Sequence, residues 1–152
     1  MYVAHAKRLT AAGAKKMMAT AIAAAEKAGI AVTVAIVDSG GNLMLLERME
    51  GGRFHTVHSA TTKAVCAASN RRQTTSQGAV GQSLDVAHAI GLALAAGPER
   101  WTAMEGGCPI IVDGECLGAV GVSGVASHQD EQVAMAAVMA VFPTAKMVRP
   151  GD

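Results

Sequence analysis

The chain has 152 residues, 51% of them hydrophobic and 16% charged, with a formal net charge of +1 when the histidines are neutral. That length supports a single domain over residues 1–152, with its core over about residues 10–141. The charge lacks the basic footprint of a nucleic-acid binder, and no segment reaches the roughly 18 apolar residues of a membrane span, so neither partner is expected.

The only aromatics are Tyr2, Phe54, Trp101 and Phe142, so the core must be built from Ala, Val, Ile, Leu and Met. Lys7, Arg8, Lys15 and Lys16 interrupt the N-terminus, where a secretory signal would need an apolar run. The three cysteines, Cys66, Cys108 and Cys116, lack a C-x-x-C spacing. Reduced thiols in a cytoplasmic protein are the expectation.

In chain order, Thr10 caps a helix expected over about Ala11 to Ala28, with Gly29 just past its end. The β-branched run Ala31 to Val37 reads as a strand, Asp38 to Asn42 as a turn, and Leu43 to Arg48 as the returning strand of a hairpin. A second helix follows over about Arg53 to Asn70. Residues 71–83 are polar and glycine-containing, a loop. A third helix spans Leu84 to Ala96 and ends at Gly97-Pro98. Cys108 to Ser123 forms another hairpin around Asp113-Gly114, a type I′ turn signal. Ser127-His-Gln-Asp130 has capping-box spacing, with the last helix over Gln129 to Val141 and an irregular tail from Pro143. Two hairpins without crossovers indicate an antiparallel sheet with helices on its faces, an α+β domain.

On the second helix, Val57, Ala60, Ala64, Ala67 and Ala68 share a small-residue face suited to packing on a sheet. His55, His58, Ser59, Thr62 and Cys66 share the other face, which is polar but uncharged near its middle. We expect that face to meet a ligand or a neighbouring subunit. Histidines at i and i+3 are neighbours and suit a shared metal, an axial haem bond or, with an ordinary pKa near ~6.5, acid–base catalysis. The bland alternative is a pair of ordinary half-exposed histidines. Zinc is not expected, because no further Cys/His cluster has a familiar spacing.

Arg48 and Lys63 form a candidate anion clamp. Against it stands the plainer reading in which Arg48 pairs with a local carboxylate such as Glu50, and Lys63 is a surface charge. Asp130 reads first as a cap of the last helix. With His128 it also flanks a helix N-terminus, where an anionic group is favoured, and Gly106-Gly107 are candidate backbone N–H donors to the same place. The glycines of Gly118-Ala-Val-Gly-Val-Ser-Gly lack a Walker lysine and follow a hairpin, so close backbone approach explains them better than phosphate binding.

Two segments carry a resemblance to a known family. One is Val34-Ala-Ile-Val-Asp-Ser-Gly-Gly-Asn-Leu with Glu47-Arg-Met-Glu-Gly; the other runs from Gly106-Gly-Cys-Pro through Gly118 to Gly124, followed by Gln129-Asp130. Together they resemble the GlcG/HbpS family, which includes the C-terminal domain of PduO-type proteins. The resemblance implies a profilin-like three-layer α/β/α sandwich, assembly into homo-oligomers, and haem or tetrapyrrole binding in some members. It also implies accessory roles in glycolate, diol or aromatic-compound catabolism in others. In that frame His55 and His58 are candidate iron ligands, and Arg48, Glu50, Lys63, Gly106, Gly107, His128 and Asp130 candidate ligand-binding residues. The alternative is a cofactor-free isomerase, tautomerase or lyase in which His55 or His58 moves a proton on a small carboxylate. Glu50 stands where the family's turn usually has an aspartate, Thr56 where a serine is common, and Cys66 where a threonine is common.

Overall fold

The computed structural model describes residues 1–152. In chain order the elements are helix α1 (Ala11–Lys27), strands β1 (Thr33–Asp38) and β2 (Leu43–Arg48), helices α2 (Thr56–Asn70) and α3 (Val86–Ala96), strands β3 (Gly107–Val112) and β4 (Glu115–Ser123), and helix α4 (Ser127–Val141). The strands form one antiparallel sheet in the order β2-β1-β4-β3. The two hairpins thus join through their second and first members, β4 against β1, to give an α+β sandwich.

Alternation along the strands sorts the core into two layers, because successive side chains point to opposite faces. Val34, Ile36, Val120 and Val122 point towards α1 and α4, where Met17, Ala21, Val133 and Val138 complete the larger cluster. Ala35, Val37 and Ala119 point the other way, onto Ala60, Ala64, Ala67 and Ala68 of α2. Both layers are small-residue interfaces, as the scarcity of aromatics requires. Gly121 makes the second one close. A Cβ built there would lie 2.1 Å from the Ala60 carbonyl oxygen, so only glycine lets α2 approach the sheet at this depth.

Several expected boundaries shift. β1 begins at Thr33 rather than Ala31, and α2 at Thr56 rather than Arg53, because residues 51–55 still complete a turn. The expected capping box does not form. α4 begins at Ser127, two residues early, behind Ala126 as N-cap, and Asp130 reaches past the helix start to accept from Val125 N–H at 3.2 Å. The Thr10 cap and the hairpin turn are as expected: Thr10 Oγ1 accepts from Gly13 N–H, and Asp113 and Gly114 both take the positive φ of a type I′ turn. The tail is irregular but tied down, with Lys146 N–H donating to Ile111 and Gln73 N–H to Val148.

α3 stands apart. Asp85 caps it by accepting from His88 N–H at 2.8 Å, yet none of its residues is buried. Val86, Ile90 and Leu94 lie at i, i+4 and i+8 and are 74%, 54% and 71% exposed. An 11-residue helix is marginal in water without a packed face, and a contiguous apolar stripe is the signature of an interaction surface.

Candidate functional site

The start of α2 divides two cavities. Thr56, its first residue, is buried and anchors the helix to the sheet by a 2.7 Å hydroxyl contact with Thr33. His55, just before that anchor, and His58, two residues after it, both turn outward and are exposed. They do not share a space.

His58 opens on a cavity of about 680 Å³ between α2, the β1–β2 turn and the segment after α3. Its wall includes Asn42, Thr61, Thr62, Ser69 and Arg100, with Val65 as the one apolar side chain. The turn beneath is stiff, since Asp38 Oδ1 accepts from the N–H groups of Gly40 and Asn42 and from the Asn42 amide. Burial opposes ionisation of Asp38, but these hydrogen bonds outweigh it and hold its carboxyl below the usual range.

His55 opens on a second cavity of about 250 Å³, with Arg53, Ser59, Lys63, Met104, Ser123 and Asp130 in its wall. Its ring meets exposed Phe54 edge-on at 5.7 Å. The Ser59 and Ser123 hydroxyls are 2.6 Å apart. Behind them lies an ion pair, Lys63 Nζ donating to Asp130 Oδ2 at 3.1 Å and to the Val122 carbonyl at 2.9 Å. The two side chains are only 3% and 2% exposed. Burial pushes the Asp130 carboxyl above the ordinary range, while the Lys63 ammonium and the Val125 and Gly124 N–H groups pull it back.

The structure therefore corrects the reading of Lys63 as a surface charge: it is buried and paired. Arg48 is exposed and donates to the Gly52 carbonyl at 2.6 Å rather than to Glu50, and it does not line the Lys63 cavity. No clamp of Arg48 with Lys63 forms. Glu50 and His128 are exposed and line neither cavity. The Gly107 N–H is not free for an anion, because it donates to Thr74 Oγ1 at 2.8 Å. Gly106 sits against Lys63, where a Cβ would lie 3.0 Å from the ammonium nitrogen. The polar face of α2 is also partly closed by the chain itself. Thr62 and Cys66 are buried, and Cys66 lies against the Thr102 carbonyl.

Ser59 and Ser123 were not singled out as a pair by sequence. They are 64 residues apart, and no spacing rule joins them.

Two cavities with convergent polar side chains flank one helix start in a small sandwich, and they are the candidate ligand sites. The family model of haem-degrading HbpS-like proteins matches residues 9–139, and the chain belongs to that family. Protein GlcG of Escherichia coli K12 is 37% identical over 113 residues, covering 71% of this chain and 79% of GlcG. The crystal structure of Klebsiella pneumoniae protein ORFY superposes with a TM-score of 0.81 at 31% identity, covering 96% of this chain and 99% of that one. A PduOC–haem complex superposes at 0.79 with 23% identity over 94% of this chain and 100% of its own, a likeness of fold.

Proposed function

We propose that this protein binds haem or a related planar tetrapyrrole at His58, in an assembly where a neighbouring copy completes the pocket. The observation that carries this reading is the exposed His58 imidazole opening on a 680 Å³ cavity that also holds Arg100. Ligand pockets for molecules of this class span roughly 300–1,000 Å³, which the His58 cavity meets and the 250 Å³ His55 cavity does not.

The residues fit such a group in part. An imidazole nitrogen suits the iron and the Arg100 guanidinium suits a propionate, which would have to displace the exposed Glu99 carboxylate 3.7 Å from it in the same wall. Val65 alone cannot cover the apolar faces of a macrocycle. The stripe of Val86, Ile90 and Leu94 on α3 has no partner within the chain and leads directly into the segment bearing Arg100. Supplied by a second copy, it furnishes the missing wall. When bound, haem contributes a redox-active iron; the chain's own part is to ligate, orient and shield it. The HbpS-like family and the haem complex of a structural neighbour support the reading. A cytoplasmic, accessory role in catabolism belongs to the same proposal, supported by the free cysteines and the family resemblance.

A haem titration followed by visible absorption tests it. Saturable Soret uptake is expected in the wild type and in His55→Ala, and is lost in His58→Ala. Leu94→Asp is expected to lower both the oligomeric state in sedimentation and the haem uptake. Weak, unsaturable uptake that ignores His58→Ala refutes the reading.

A second reading is favoured by the Lys63–Asp130 pair. A buried ion pair behind two hydroxyls and beside His55 suits proton transfer on a small carboxylate, as in an isomerase, tautomerase or lyase. Turnover of small carboxylic acids or enol-lactones, abolished by His55→Ala, would support it; no turnover across such a screen would count against it.

A further inference from the structure

A third cavity shares no residue with the other two. It encloses about 310 Å³ between residues 73–77, the start of α4 and the C-terminal tail, and polar and charged side chains with Pro150 make up its wall. Glu105, Glu131 and Arg149 bring two carboxylates and one guanidinium.

Gln73, 2% exposed, is the informative residue. Its Nε2 donates to Glu131 Oε1 at 2.5 Å, and the same oxygen takes Arg149 Nη2 at 2.9 Å. Facing a carboxylate, the amide must present its NH2 group, so its orientation is settled by chemistry. Its Oε1 is then left buried with no donor, alone among the buried side-chain polar atoms of the molecule. Such an orphan is costly enough to call for an explanation. Glu131 Oε2 makes no hydrogen bond either. Burial raises the Glu131 carboxyl above its ordinary range against the pull of Arg149, and the Glu105 carboxylate raises it further. Acceptors and negative charge are both in surplus.

That surplus selects a ligand class. No three His, Cys, Asp or Glu side chains converge here as a zinc site needs, and the Arg149 guanidinium 2.9 Å from Glu131 repels a divalent cation. A quaternary ammonium would need an aromatic cage, and no aromatic lines this wall. A primary ammonium offers three N–H donors and one positive charge. We propose that this cavity binds a small polar primary amine in its ammonium form, donating to Gln73 Oε1 and Glu131 Oε2 and held electrostatically by Glu131 and Glu105. The hydroxyls of Thr75 and Ser76 suit a polar rather than alkyl remainder. The site is independent of whatever occupies the His58 cavity.

Propanolamine is the probe, with tetramethylammonium as a control of equal charge and no N–H. Titrations by calorimetry and by amide NMR are expected to show saturable propanolamine binding, with shifts confined to residues around Gln73, Thr74 and Arg149. Tetramethylammonium is expected to leave them unmoved. Glu131→Gln and Glu105→Gln are each expected to weaken binding about tenfold, and His58→Ala to leave it unchanged. Glu105 is half-buried at the rim and makes no hydrogen bond or ion pair within the chain, so Glu105→Gln keeps the test sound if Glu131→Gln fails to fold. No saturable binding, equal binding of tetramethylammonium, or binding indifferent to both substitutions each overturns the proposal.

Discussion

Lys63→Met keeps the length of the side chain and removes its ammonium, leaving Asp130 buried with only the backbone N–H donors in front of α4. With Nζ and Oδ2 3.1 Å apart, the lost attraction is about 5 kcal/mol at an effective dielectric near 20. Desolvation of both ions offsets much of that, so the intact pair adds little net stability, whereas the broken pair strands a charge. The single substitution should therefore cost about 3–5 kcal/mol, the usual penalty for a stranded buried partner. For a chain of this size that corresponds to a fall in Tm of about 6–20 °C. Asp130→Asn should cost a similar amount, and Lys63→Met/Asp130→Asn about 3 kcal/mol less than the two singles combined. Urea unfolding followed by circular dichroism measures all four corners of the cycle.

The pH dependence has a definite sign. The Asp130 carboxyl is already raised from the ordinary 3.8, and Lys63 is one of the groups restraining that rise. Without Lys63 it rises further. A raised carboxyl contributes stability that is fully present below its unfolded pKa and lost as pH rises through its folded value. The gap between wild type and Lys63→Met should therefore be widest at neutral pH and narrow as pH falls towards the ordinary carboxylate range. Singles costing under about 1 kcal/mol, an additive double, or a gap independent of pH would each refute the argument.

Two other tests concern packing and reactivity. Gly121→Ala forces a methyl to within 2.1 Å of the Ala60 carbonyl and should cost about 1–3 kcal/mol in urea. Gly91→Ala, in the middle of α3 with nothing within 4 Å, should stabilise by about 0.5–1 kcal/mol. Burial pushes the Cys108 thiol up to about 12, and half-buried Cys116 should be alkylated by iodoacetamide first in the native protein, as read by peptide mass spectrometry.

The elements, their order and the inward small-residue face of α2 were legible in the chain. The Ala60-Ala64-Ala67 stripe, the β-branched run up to Val37, the Thr10 cap and the Asp113-Gly114 turn each act within a few residues, where local geometry decides the outcome. The resemblance of residues 34–51 and 106–130 to the GlcG/HbpS family added the layered architecture. The site was legible only as a neighbourhood. Lys63 reads as a surface lysine until Asp130, 67 residues later, arrives beside it. His55 and His58 are three residues apart, yet the N-terminal end of α4 walls one cavity and the β1–β2 turn with Arg100 walls the other. Gln73 looks like any loop glutamine until α4 and the tail close over it. Helical phase and turn chemistry are properties of a short window of chain. Burial, charge pairing and the partition of a surface into cavities depend on which distant segments meet, and those only the tertiary structure decided.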